Sequence, residues 1–348
     1  MKILLIGGFS NYAIERYYLK YFNEEIDVEA IIYKAQDIFL EYYQKNIFNK
    51  IIFRIGFQKI YKKINIGLKE EVNKYKPDIV FIFKGMEIFP QTIKWIREKD
   101  IRVVNYNPDN PFIFAGKGSG NSNITRSIPF YDVHFTYNLE TKGKIERKYK
   151  TPTYWLPFGF DISEAIFSAA SSLNEIIKVC FVGNPDKDRA HFLNALAEKG
   201  IKIDVYGSYW SRFVNHPNIT LYPPVYNDEL WFTLRKYRIQ LNPLRIHNVD
   251  SHGMRSFEIP GIGGIMLAPR TSEHFQFFNE GTEAFFYDNY EEAIIKINFL
   301  LALQKNEADK IRNVARERSI RESYDYKSRA KLAINVLKNL NQCKKNIN

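Results

Sequence analysis

The chain has 348 residues, 45% of them hydrophobic and 26% charged, and a formal net charge of +11. That length exceeds a typical single domain and suits two, the composition is globular rather than disordered or fibrous, and no apolar run approaches the roughly 18–20 residues that cross a bilayer. Only two cysteines, Cys180 and Cys343, are present, which excludes a disulfide framework and points to a reducing cytoplasm.

The opening Met1-Lys-Ile-Leu-Leu-Ile-Gly-Gly8 reads as a buried first strand over 3–6. It is no signal peptide, because the apolar stretch is too short and lacks a small-residue cleavage site. Further strands are expected at 28–32, 79–83, 103–106 and 133–136, with helices over 11–22, around 38–71 and over 90–99. Pro77-Asp78 separates helix from strand, since proline cannot continue a helix and disfavours one in its predecessor. The alternation restarts with a strand at 177–182, a helix over 188–199 closed by Gly200, and strands at 203–206 and 219–221. A helix over 228–236, strands at 239–242 and 265–267, and helices over 291–304, 307–322 and 326–340 complete the pattern. Two strand–glycine–helix starts, at residues 3 and 177, imply an α/β protein of two doubly wound domains. The expected spans are 1–162, 163–322 and a terminal helix, 323–348, free to cross back to the first domain. The linker is placed at 161–176, around Ser168-Ala-Ala-Ser-Ser172.

Several loops follow strands, where open α/β sheets bind ligands. Gly7-Gly8 fits a ligand loop and a plain tight turn equally, and the dinucleotide fingerprint is absent. Lys84 and Glu87 lie in a strand-to-helix loop. Asn105-Tyr-Asn-Pro-Asp-Asn-Pro111 combines rigid prolines with amides and one carboxylate, Asp109, a set suited either to sugar hydroxyls or to turn formation. Gly183-Asn184 opens a helix carrying Arg189, whose planar fork suits phosphate, with Lys187 as a competing cation. Tyr206-Gly207 offers an aromatic wall for a base, although loop aromatics also pack. No Walker loop, zinc-like Cys/His spacing or Gly-x-Ser-x-Gly elbow occurs.

The densest segment is Asp250-Ser-His-Gly-Met-Arg-Ser-Phe-Glu258, followed by Ile-Pro-Gly-Ile-Gly-Gly264. On a helix, a spacing of eight would set Asp250 and Glu258 within roughly 80° of one another, and Arg255 would neighbour Glu258. Two acids, a cation and a glycine-rich turn suit a polyhydroxylated, phosphorylated ligand. His247 and His252 flank Asp250 and raise the chance of a ligand role.

Taken together, Asp109-Asn-Pro111, Tyr131-Asp-Val-His-Phe-Thr136, Leu156-Pro-Phe-Gly-Phe-Asp161, Phe181-Val-Gly183, Tyr206-Gly207 and Arg255-Ser-Phe-Glu-Ile-Pro-Gly-Ile-Gly-Gly264 resemble the GT-B glycosyltransferases. Within them the chain looks most like the CgeB-like, spore-maturation-type branch. The resemblance covers most of 79–290. It implies two Rossmann-like domains facing a central cleft, and a sugar moved from a nucleotide-sugar donor to a glycan or lipid-linked acceptor. Glu258 would hold the ribose, and Arg189 and Arg255 the diphosphate. Gly183, Asn184, Tyr206, Gly207, His252, Gly253, Met254 and Ser256 would complete the donor site. Gly8, Lys84, Asn107 and Asn110 would lie on the acceptor side. Asp250 and Asp109 would serve catalysis, but Asp250 departs from the family's E-x7-E pattern, where glutamate is usual. The family needs neither a metal nor a cofactor, and a retaining outcome is implied.

Two other readings carry weight: a sugar-nucleotide epimerase of the same fold, and a basic nucleic-acid-binding or non-catalytic glycan-binding protein. With a transferase, no nucleic-acid partner is expected. The lysine-rich, aromatic segment 44–76 would then dock to an anionic membrane, making a cytoplasmic protein peripheral to the inner face of the cell membrane.

Overall fold

The computed structural model describes residues 1–54, 59–114, 120–245, 248 and 250–345. The chain forms two compact units, Met1–Pro157 with Tyr326–Asn348, and Phe158–Asp325.

The first unit is built on β1 (Lys2–Ile6), β2 (Glu29–Tyr33), β3 (Ile79–Phe83), β4 (Arg102–Asn107), β5 (Val133–Thr136) and β6 (Thr153–Trp155). All pair in parallel in the order β2-β1-β3-β4-β5-β6. Strands covered by helices on both faces must be apolar throughout. Ile-Val-Phe-Ile-Phe of β3 meets that demand, with every residue buried. The order reverses between β1 and β3. The terminal helix Tyr326–Lys345 packs on helix Glu15–Phe22, where the Tyr17 and Tyr326 rings stack at 4.5 Å. Lys338 adds ion pairs to Glu25 and Asp27 at 3.2 and 2.8 Å. The single helix expected around 38–71 is three: Ala35–Lys45, Ile47–Arg54 and Lys59–Tyr75. Asn46 is extended and its Oδ1 accepts from Asn49 N at 2.8 Å, which stops one helix and caps the next.

The second unit comprises β7 (Ile176–Val182), β8 (Ile203–Tyr206), β9 (Ile219–Tyr222), β10 (Tyr237–Leu241), β11 (Met266–Pro269) and β12 (Phe285–Tyr287). Their order is β12-β11-β10-β7-β8-β9, again parallel, with the reversal between β7 and β10. This is a doubly wound topology. The stretch read as a linker is instead helix Glu164–Ser171, capped by Ser163 and packed on helix Asn227–Lys236. Its Ser-Ala-Ala-Ser composition suits a linker, but Ala170 is fully buried. At the opposite end of the sheet from the loops after β7 and β10, Arg238 is buried and meets both Glu175 oxygens at 2.6 and 2.7 Å.

Candidate functional site

The reversal between β7 and β10 brings the loop after Val182 beside the loop after Leu241. Arg189, in the first turn of helix Lys187–Glu198, spans the two: Nε donates to Pro243 O at 2.9 Å and Nη1 to Asn184 O at 3.2 Å. Asp186 caps the same helix by accepting from Arg189 N at 2.9 Å. The Arg189 guanidinium is pushed down to about 10, first by burial and then by the like charges of Arg245 and Arg255. Three guanidiniums thus lie near one strand edge, and Arg189 also pairs with Asp186 at 3.5 Å. Arg245 escaped the sequence reading; its position four residues beyond β10 was the available signal.

Arg255 begins helix Arg255–Gly261, donates from Nε to Val182 O at 3.3 Å, and pairs through Nη1 with the buried Glu258. The i,i+3 neighbourhood expected of those two is present. Ser256 Oγ fixes this helix: it donates to His274 Nε2 at 2.9 Å and accepts from Gly253 N at 3.1 Å and Asn242 Nδ2 at 3.0 Å. His274 Nδ1 in turn lies 2.8 Å from Pro269 O, and burial pushes its pKa down to about 4. Ser256 is thus an internal brace, aimed at protein. Met254 is the helix N-cap and, like Gly253, half-buried.

Asp250 is not on that helix. It has φ +51°, and its two oxygens accept from Ser272 N and Ser272 Oγ, each at 2.6 Å, at the start of helix Ser272–Phe277. The helical geometry that would align Asp250 with Glu258 is absent, because residues 250–253 turn before the helix begins. His252 is fully buried, with Nδ1 2.6 Å from Glu273 Oε2, and its Nε2 accepts from Phe158 N at 3.5 Å. His247 lies outside the described residues.

Gly207 and Gly183 meet each other. A Cβ at 207 would collide with Gly183 O, which already accepts from Trp210 Nε1 at 2.7 Å. The Tyr206 ring stacks on Tyr222 at 4.7 Å, and its hydroxyl lies 2.9 Å from that of Tyr237, which donates to Asp204 at 2.7 Å. Its hydroxyl is committed to the interior, while Asn184 is exposed.

In the first unit, the β1–β3 reversal gathers Gly8, Lys84 and the loop after β4. Lys84, at φ +57°, pairs with Asp109 at 2.8 Å. Asn107 Oδ1 accepts from Asp109 N at 3.0 Å, and its buried Nδ2 has no hydrogen-bond partner. Asn110 Oδ1 accepts from Phe112 N at 2.9 Å, a turn interaction. The glycine loop is filled by protein: Gly8 N donates to Glu15 Oε1 at 3.0 Å, and a Cβ at Gly8 would strike Gln36. Burial raises the Glu15 pKa to about 7, and Glu87 is also raised. Glu15 was missed because an acid at a helix start reads as a dipole partner. Among the described residues no group of three or more His, Cys, Asp or Glu is placed to hold a metal ion.

Residues 189–335 match the family described as glycosyl transferase-like. No curated protein matches the chain by sequence. Among solved structures, sucrose-phosphate synthase from Thermosynechococcus elongatus is similar at TM-score 0.71 and 12% identity, covering 98% of this chain and 99% of that one. HepE from Anabaena in complex with UDP-glucose gives 0.65 at 11%, covering 97% and 100%. UDP-GlcNAc 2-epimerase from Neisseria meningitidis bound to UDP-GlcNAc gives 0.59 at 13%, covering 97% and 99%. At these identities the likenesses establish the fold alone: two Rossmann-like domains, as in GT-B proteins.

Proposed function

We propose that this chain, whose residues 189–335 match the glycosyl transferase-like family, is a glycosyltransferase of GT-B fold that moves a sugar from a nucleotide-sugar donor to a glycan or lipid-linked acceptor. The reaction retains anomeric configuration, uses no metal or other cofactor, and serves surface polysaccharide or glycoconjugate synthesis at the cytoplasmic face of the membrane. The observation that carries the reading is the convergence of Arg189, Arg245 and Arg255 beside buried Glu258 at the β7–β10 reversal. The structure in which HepE holds UDP-glucose supports the donor class.

In this reading the diphosphate lies against the guanidiniums and the N-terminal amides of helix Lys187–Glu198, and Glu258 accepts from the ribose hydroxyls. The acceptor hydroxyl oxygen bonds to the anomeric carbon as the carbon–phosphate oxygen bond breaks, and its proton passes to the departing phosphate. Fixed cations stabilise the charge developing on that leaving group, which is why one lost contact is expected to cost about 10²–10³ in rate. Asp109 with Lys84, Asn107, Asn110 and the Gly8 loop form the acceptor side. Asp250 supports catalysis by holding the 250–254 turn to helix Ser272–Phe277.

The likeness to the Neisseria epimerase favours one second reading, epimerisation of the nucleotide-sugar itself. Incubation with a panel of donors, with and without lipid-linked and oligosaccharide acceptors, separates the two. Acceptor-dependent release of nucleoside diphosphate is expected. Epimerised sugar nucleotide formed from donor alone would overturn the transferase reading.

A further inference from the structure

Helix Ile47–Arg54 turns its apolar side to solvent. At about 100° per residue, Ile47, Ile51, Phe48 and Ile52 share one arc, and they are 66%, 50%, 70% and 36% exposed. The other side does the packing. The Phe53 ring lies 4.9 Å from Phe39 and 5.3 Å from Tyr61, and Asn49 Nδ2 donates to Tyr42 O at 2.7 Å. A surface helix ordinarily buries its apolar stripe, and a contiguous exposed one marks a partner surface.

The surrounding charge selects the partner. From Tyr42 to Lys69 the sequence holds seven Lys and Arg residues and no Asp or Glu. Lys45, Lys59, Lys62 and Lys63 are exposed. A second copy docking through the same face would set like charges together. Nucleic acid would match the lysines but leave four large apolar side chains in water. Apolar residues rimmed by lysine, on a helix far too short to span a bilayer, match the boundary between acyl chains and anionic headgroups.

We propose that helix Ile47–Arg54 seats the protein on an anionic lipid bilayer, with Ile47, Phe48, Ile51 and Ile52 entering the interface and the neighbouring lysines meeting headgroup phosphates. This stands apart from the transferase reading, because its test needs no sugar substrate. The full chain is sedimented with vesicles of phosphatidylcholine alone or mixed with phosphatidylglycerol, at low and high salt. Binding is expected to the mixed vesicles only and to weaken with salt. F48S/I51S is expected to lower that binding on the order of 100-fold while thermal unfolding stays unchanged, since both side chains are exposed. F48W is expected to show a blue-shifted fluorescence increment on mixed vesicles. Three results would overturn the proposal: no binding to mixed vesicles at low salt, undiminished binding by folded F48S/I51S, or no blue shift in F48W. A dimer in solution that F48S/I51S dissolves, without vesicle binding, would assign the stripe to a second copy instead.

Discussion

Arg189 shows how one side chain ties site to scaffold. Its Nε and Nη1 bridge the carbonyls of Pro243 and Asn184, so the cation joins the two loops flanking the β7–β10 reversal. Lysine retains the charge but cannot make both bonds from a planar fork. R189K is therefore expected to lose about 1.5–3 kcal/mol of stability and to weaken nucleoside diphosphate binding; chemical denaturation and calorimetry measure the two, and an unchanged unfolding midpoint would contradict the bridging role. Glu15 gives a prediction in pH. Its folded pKa of about 7 lies above the ordinary 4.5, chiefly through burial. The folded state thus holds the proton more tightly than the unfolded chain, and stability falls as pH rises from about 4.5 to about 7. E15Q keeps an acceptor for Gly8 N without the buried charge. It is expected to raise Tm at pH 8 and to change it little near pH 4.5; equal shifts at both would contradict this account.

At the scale of elements, β5 carries the opposite linkage. His134, fully buried in the middle of that strand with neither ring nitrogen hydrogen-bonded, is pushed by burial from 6.5 down to about 3. The unfolded chain takes up a proton that the folded strand refuses, so stability is lost as pH falls from about 6.5 toward 3. H134L is expected to flatten that part of the acid-unfolding curve; an unaltered curve would show that His134 is not its source. The central strands were legible because parallel sheets buried on both faces demand continuous apolar runs, as in β1, β3 and β7. The edge strands β6 and β12 were not, since three residues carry too little pattern. The site was legible where spacing alone governs, as in the Arg255–Glu258 pair within one helical turn. Asp250 defied the same logic because its left-handed backbone breaks the helix that the spacing presumes. Nothing local links Ser256 to His274, 18 residues apart; the fold brings them together.

At the scale of the whole molecule, two parallel sheets each offer a strand-order reversal, and the two are furnished differently. The second unit's edge gathers guanidiniums, whereas the first unit's edge holds the buried acids Glu15 and Glu87 with the Lys84–Asp109 pair. The guanidiniums of the second unit suit an anionic ligand, which is why the proposed function puts the donor there. The basic excess of the chain includes the acid-free stretch Tyr42 to Lys69, separate in sequence from Arg189, Arg255 and Glu258. Bound nucleoside diphosphate at 100 times its Kd is expected to stabilise the protein by about 2.7 kcal/mol. The most direct measurement is isothermal titration of the wild type, R189Q/R255Q and E258Q with UDP, GDP, ADP and dTDP. The account predicts that one diphosphate binds the wild type, that affinity falls by at least about tenfold in both variants while the fold is retained, and that the corresponding nucleoside without phosphate is hurt by E258Q but not by R189Q/R255Q. Undiminished binding of that diphosphate to folded R189Q/R255Q would contradict it.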